Sequence, residues 1–393
     1  MVDEGAVRAA AEAVDPERVL AFARSLVAAP SENPGGTEAE AAEVAAGILS
    51  SLGVEYELVE PEPRRTSVVA AIGSGRPKLA WNGHLDVVPA GDPEGWPHPP
   101  FDGVVKGGRL WGRGSADMKG AIGAALAAVD AIRRCRIALG GTLELHLVAD
   151  EEHSGIYGTK VLFERGSLDA DACVVGEPSR LDLGLAQRGG AWLRAVSHGV
   201  AAHGSRPHLG VNAISSMARF VLALQEVLPD RSHPLVGSPT LNVGTITGGR
   251  ARNMVPDRCE IEIDRRIIPG ESREEILAPF DRLVARLRSE HPNFDLDYEI
   301  GDWTEAAETP AGAQIVALAR EAVRDHRDME PCDIGFTGIT DARFYINGAG
   351  IPAVVLGPGD LAVAHTSNES VEVEELVAAA RIYAALFVRF LGA

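Results

Sequence analysis

Cysteine is scarce in this chain, and the four present, Cys135, Cys173, Cys259 and Cys332, fall singly with no C-x-x-C pair. That spacing excludes a disulfide framework and a thiolate zinc site, and fits reduced thiols. Basic clusters are also missing. The formal charge is −19, and a surface of that sign does not hold phosphate backbones, so nucleic acid is excluded as a partner. No apolar run reaches the roughly 18 residues of a membrane span. The start is acidic and helical, without the basic segment and apolar core of a secretory leader, so a cytoplasmic location and no membrane association are expected. There is no internal repeat, and no low-complexity tract beyond an alanine bias that favours helix.

What is present is 393 residues with 46% hydrophobic content, too long for one ordinary core, and two domains are expected. Apolar strand patterns alternate with helical ones early in the chain, the mark of an α/β domain with a mixed, largely parallel sheet flanked by helices. Helices are expected at Pro16–Ala29, Glu38–Leu52 and Met118–Arg134, with strands at Ser67–Ile72, Leu79–Asp86, Thr142–Val148 and Ala172–Val175. From Ala191 to Ile300 the order becomes strand, helix, strand, strand, helix, strand. This βαββαβ pattern reads as an inserted ferredoxin-like domain. The expected division is residues 1–187, the insert 188–300, and 301–393, where a helix at Gln314–Asp325 and a strand at Pro352–Leu356 return the chain to the first domain.

The chemistry-bearing residues are His84, Asp86, Asp117, Glu151, Glu152, Glu177 and His365, each in a glycine-rich or strand-end setting. His84 and Asp86 end one expected strand, Glu151 and Glu152 end another, and Glu177 follows a third. Ligands of open α/β sheets gather at the carboxyl ends of strands, so three strand ends point to one crevice. Five carboxylates in one crevice would repel and take up protons unless cations neutralised them. Imidazole and carboxylate are ordinary zinc ligands, and a carboxylate can bridge two ions roughly 3.5–4 Å apart. Asp117, in GRGSADMKG ahead of a helix, is the candidate bridge. Two Zn²⁺ per subunit are expected, and Co²⁺ or Mn²⁺ suits the same donors.

The blocks GHLDVVP at Gly83–Pro89, GRGSADMKG at Gly112–Gly120, DEEHSG at Asp150–Gly155, GEPS at Gly176–Ser179 and AHTSNE at Ala364–Glu369 closely resemble those of the acetylornithine deacetylase, succinyl-diaminopimelate desuccinylase, aminoacylase and glutamate carboxypeptidase family. They occur in the family's order and at compatible spacings across nearly the whole chain. The resemblance implies a zinc-exopeptidase-like domain with an inserted dimerisation domain, hence a homodimer. It makes His84 and Glu177 terminal ligands of one zinc and Glu152 and His365 of the other, with Asp117 bridging and the peptide after it cis. It makes Asp86 the acid that accepts the His84 N–H, and His203 an oxyanion donor reaching the partner subunit's site. Asn253 and Arg266 match substrate-binding positions.

Glu151, beside a ligand but facing the opening, is the expected general base for hydrolysis of an amide. The family's substrates are N-acyl amino acids or peptides. Glu177, where the family's dipeptidases usually carry Asp, favours an acylase or deacetylase, and Ile339 in GITD, at a position often polar in desuccinylases, weighs against that activity. The alternatives are a glutamate-carboxypeptidase-like exopeptidase and a non-catalytic binder of metal or small acids.

Overall fold

The computed structural model describes residues 3–153, 155–327 and 329–392, so Ser154 of the DEEHSG block lies outside the described residues. The chain forms two compact units. One takes in the chain up to Leu185, Thr309–Ile334 and the chain from Thr340 on; the other comprises Ala186–Glu308 and Gly335–Ile339.

The first unit is built on a mixed sheet centred on the strand Lys78–His84, buried along nearly its whole length. Thr142–Val148 and Ala172–Val175 run parallel to it on either side, with His84 in register with Val148 and Asn82 with Val175. Ala172–Val175 is apolar and buried throughout, as a strand covered on both faces requires, whereas Thr142–Val148 alternates leucine with Thr142, Glu144 and His146. Ala353–Val355 adds another parallel strand beside Ala172–Val175. Ser67–Gly73 and Tyr56–Val59 extend the opposite edge antiparallel.

Helix Pro16–Val27 starts with Asp15 accepting the Glu17 N–H and proline in the first turn, a favourable N-terminus. It packs on helix Lys119–Arg134, and glycine permits the closeness: a Cβ on Gly123 would stand 2.6 Å from the Ala23 nitrogen. Helix Val373–Leu391, buried over most of its circumference, was not foreseen. Glu374, Glu375 and Arg381 mark an open face in its first half, and from Ile382 to Leu391 it is buried throughout. Tyr383 from this helix meets Trp81 of the central strand edge-on at 5.6 Å and donates to the Leu356 carbonyl at 2.7 Å. A small antiparallel sheet of Val104–Lys106, Arg109–Trp111 and Ser370–Glu372 joins the AHTSNE segment to the residues leading into GRGSADMKG.

The second unit is a four-stranded antiparallel sheet in the order Thr240–Gly248, Arg258–Ile267, Gly189–His198, Asp295–Thr304. Its two helices, Ala213–Ala223 and Arg273–Glu290, bury Met217, Phe220, Phe280 and Leu283 with Leu193, Ile261 and Ile263 of the sheet. Strand Arg258–Ile267 alternates buried and more open positions, as a sheet with one covered face requires. Ser272 and Glu275 form a capping box at the second helix. The connectivity is βαββαβ and the architecture is ferredoxin-like. The first of these helices ends at Ala223, where the chain tightens into a 3-10 turn at Leu224–Val227.

Candidate metal centre

Parallel strands in register bring the site together. His84 ends the central strand opposite Val148, so the Asp150–Glu152 turn begins two residues beyond it. Asn82 lies opposite Val175, which puts Glu177 at the same sheet end. His84 Nδ1 lies 2.9 Å from the Asp86 carbonyl oxygen and 3.6 Å from the Asp86 carboxylate. The main-chain oxygen is therefore the nearer acceptor for the imidazole N–H. The Asp86 carboxylate is engaged elsewhere: it accepts the Glu151 N–H at 3.2 Å, the Glu152 N–H at 3.0 Å and Asn33 Nδ2 at 2.9 Å.

With Nδ1 anchored, His84 Nε2 faces Asp117 Oδ1 at 3.1 Å and Glu177 Oε1 at 3.7 Å. The other Asp117 oxygen, Oδ2, lies 3.3 Å from His365 Nε2, which is 3.1 Å from Glu152 Oε2. Asp117 thus presents one oxygen to each histidine. Its peptide to Met118 is cis, and its main chain is pinned by Glu369, whose Oε1 accepts the Ala116 and Asp117 N–H groups at 3.0 and 3.1 Å. Glu369 is fully buried and paired with Arg113. It closes the AHTSNE block, but nothing in the sequence distinguishes it from a solvated acid. His365 and Asp150 both have positive φ, 64° and 68°, a conformation that costs energy for residues other than glycine and collects at functional sites.

Two overlapping clusters result. Donor atoms of His84, Asp117 and Glu152 lie within 4.8 Å of one another, as do those of His84, Glu151 and Glu177. The electrostatics are those of a site built for cations. Burial, and then the charge of Asp117, pushes Glu177 well above the ordinary carboxylate range. Burial does the same to Glu151 against the pull of His84, and raises Glu152. Burial opposes charge on His84, yet its bond to Asp117 and the charges of Glu177 and Asp117 hold it well above its usual value. His365 is raised to about 10 by donating to Asp117 and Glu152. Burial would raise Asp117, but hydrogen bonds from His365 and His84 keep it below the usual range. Without a cation the cluster neutralises itself with protons on histidines and acids. Two imidazoles and three carboxylates converging this way fit a pair of divalent ions of the zinc, cobalt or manganese type.

The remaining sequence candidates lie in the other unit. His203 Nδ1 accepts the Ser205 N–H at 3.1 Å and lies 2.7 Å from Ser205 Oγ, which assigns its proton to Nε2. Its main chain is bridged to Met254, and the Asn253 carbonyl accepts the Gly204 N–H at 2.7 Å, so His203 and Asn253 sit on neighbouring strands of chain. Arg266 pairs with Asp264 at 2.9 Å and lies 5.7 Å over the Trp192 ring.

A family model, Peptidase family M20/M25/M40, matches residues 80–389, which take in every block from His84 to His365. The chain belongs to this family. A probable succinyl-diaminopimelate desuccinylase of Staphylococcus epidermidis is 27% identical over 384 residues, covering 90% of this chain and 93% of that one. The N-formyl-4-amino-5-aminomethyl-2-methylpyrimidine deformylase of Bacillus subtilis is 30% identical over 396 residues, covering 92% of each. A solved dinuclear metal-binding peptidase of Bacillus subtilis shares the fold, with a TM-score of 0.76 at 17% identity over 96% of this chain and 98% of that one. The M20/M25/M40 assignment makes the protein a metal-dependent hydrolase of amides. Among the described residues no helix is long and apolar enough to cross a membrane.

Proposed function

We propose that this protein hydrolyses the amide of an N-acyl amino acid or a related carboxylate-bearing substrate, as a zinc-loaded homodimer in the cytoplasm. The observation that carries the reading is Asp117, with one carboxylate oxygen 3.1 Å from His84 and the other 3.3 Å from His365. In this reading His84 and Glu177 would hold one Zn²⁺ and Glu152 and His365 the other, with Asp117 offering one oxygen to each. Bound zinc supplies a Lewis acid that polarises the scissile carbonyl and lowers the pKa of water to about 7.

The chain's own residues do the rest. Glu151, beside Glu152 and within reach of His84 and Glu177, takes a proton from the attacking water on its carboxylate and passes it to the leaving nitrogen. Asp86 does not touch the reacting atoms; it fixes the Glu151 and Glu152 main chain and orients His84. The Nε2 proton of His203 suits a donor to the developing oxyanion, contributed to the partner's site through the ferredoxin-like unit. Asn253 and Arg266 bind the substrate's carboxylate or acyl group, with Arg266 giving up its half-buried pairing to Asp264.

The test is amine release, read by mass spectrometry, from zinc-loaded protein given N-acetyl, N-succinyl, N-formyl and N-carbamoyl amino acids, acyl-glutamates, dipeptides and N-formyl aminopyrimidines, the last because of the likeness to the deformylase. Chelator-sensitive turnover of an N-acyl amino acid supports the reading. Turnover confined to dipeptides or acyl-glutamates assigns an exopeptidase, and confinement to aminopyrimidines removes the carboxylate from the proposal.

A further inference from the structure

The turn that carries Glu151 and Glu152 is held from behind by side chains outside both clusters. Asp150 opens it at φ 68°, a backbone state that a non-glycine residue keeps only when its surroundings impose it. The Asp150 carboxylate is the point of attachment. Its Oδ1 accepts from Arg65 Nη2 at 2.6 Å and Asn33 Nδ2 at 3.0 Å, and its Oδ2 accepts the Tyr157 N–H at 3.3 Å. The same Asn33 amide donates to Asp86 Oδ2, the oxygen that accepts the Glu152 N–H. Arg65 also pairs with Glu38 at 2.8 Å and lies 5.5 Å over the Tyr157 ring. Glu38, Asp86 and Asp150 are each at most 1% exposed, and the Arg65 side chain is 14% exposed. Buried carboxylates stay folded in place only while paired and hydrogen-bonded. The planar guanidinium, reaching Asp150 and Glu38 together, provides that for the residue from which Glu151 and Glu152 hang.

We infer that Arg65, steadied by Asn33, is a positioning residue of the reaction: it fixes the Asp150 turn and so aims Glu151 and Glu152 into the site. The inference rests on the roles proposed above for those two glutamates. Its test needs no substrate. Wild type, Arg65→Met and Arg65→Lys are titrated with Zn²⁺ against a fluorescent chelator, with melting curves recorded in parallel.

Wild type is expected to bind two Zn²⁺. Arg65→Met is expected to weaken one of them by roughly 10- to 100-fold, the usual effect of removing an outer partner of a ligand, because Glu152 loses its setting while His84 and Glu177 keep theirs. Arg65 Nη2 alone reaches both Asp150 and Glu38, so Arg65→Lys, which keeps a point charge on a shorter stem, should fall between; should Arg65→Met fail to fold, Arg65→Lys decides in the same way. Two Zn²⁺ bound as tightly as in wild type overturns the inference, and so does equal weakening of both, which a general loosening of the fold would produce. Wild type binding fewer than two Zn²⁺ overturns the metal reading itself, so the two failures are distinct. Once a substrate is known, and with both sites saturated with Zn²⁺, Arg65→Met should slow Glu151→Gln by less than it slows wild type, because part of its effect runs through Glu151. Losses that multiply overturn the inference.

Discussion

Loading the metal-free protein with zinc should expel protons, and the structure sets a lower bound on how many. With His365 raised to about 10 and His84 held well above its usual value, both imidazoles are expected to carry a proton at pH 7 in the metal-free site. A group with a pKa of about 10 is deprotonated in only about one molecule in a thousand at that pH. Imidazole binds metal only as the neutral ring, so two Zn²⁺ displace at least two protons per chain. Glu177 and Glu152, pushed up by burial, add to that number. The product of the two association constants should therefore rise at least about a hundredfold per pH unit near neutrality. Calorimetry in buffers of different ionisation enthalpy counts the protons directly. Release of fewer than two protons, or pH-independent affinity, would refute the reasoning.

The sign extends to stability. His365 is raised from 6.5 on folding, so its contribution to the metal-free fold is full below about 6.5 and is lost as pH rises through about 10. Glu177 and Glu151 are raised above 4.5 and act in the same direction, because the native site binds protons that the unfolded chain has released. Chelator-treated protein should melt at progressively lower temperature from about pH 6 to pH 9, while zinc-loaded protein should not.

Three substitutions test other parts of the site. Glu151→Gln should retain two Zn²⁺ by elemental analysis and lose turnover by roughly 10²- to 10⁴-fold; retained turnover removes it as the base. His203→Ala should lower kcat by roughly 10²- to 10³-fold, and mixing it with Glu151→Gln should restore part of the activity if His203 serves the partner's site. No recovery after confirmed subunit exchange assigns complete sites to single chains. A Cβ on Gly176 would stand 2.5 Å from Trp81 Cζ2 and 2.8 Å from Met118 Cε. Gly176→Ala should therefore cost about 1–3 kcal/mol of overpacking and weaken zinc by displacing Glu177, visible as a lower melting temperature and a shifted chelator titration; wild-type values for both would remove that argument.

Much of the fold was legible because its signals are local. The alternation of Thr142–Val148 and the proline-started helix at Pro16 depend on residues within a few positions of one another, and the structure has them within two residues of expectation. The C-terminal helix was not read: Glu374, Glu375 and Arg381 mark a face only in its first half, and from Ile382 on burial on all sides leaves no stripe. Within the site, His84, Asp117, Glu151, Glu152, Glu177 and His365 were all named from their settings. Asn33, Arg65 and Glu369 were not: their importance lies in partners 27 to 256 positions away, and no spacing rule reaches that far.

The sequence by itself determined the donor types, the strand ends that present them and the family to which the chain belongs, since these are written in short blocks whose order survives folding. Only the tertiary structure decided that Asp117 divides its two oxygens between His84 and His365, that Asp86 spends its carboxylate on the Glu151 and Glu152 main chain, and that Arg65 and Asn33 hold Asp150 in a left-handed turn. Those are questions of distance and direction, and they are answered by strand register and by packing between segments that the sequence keeps far apart.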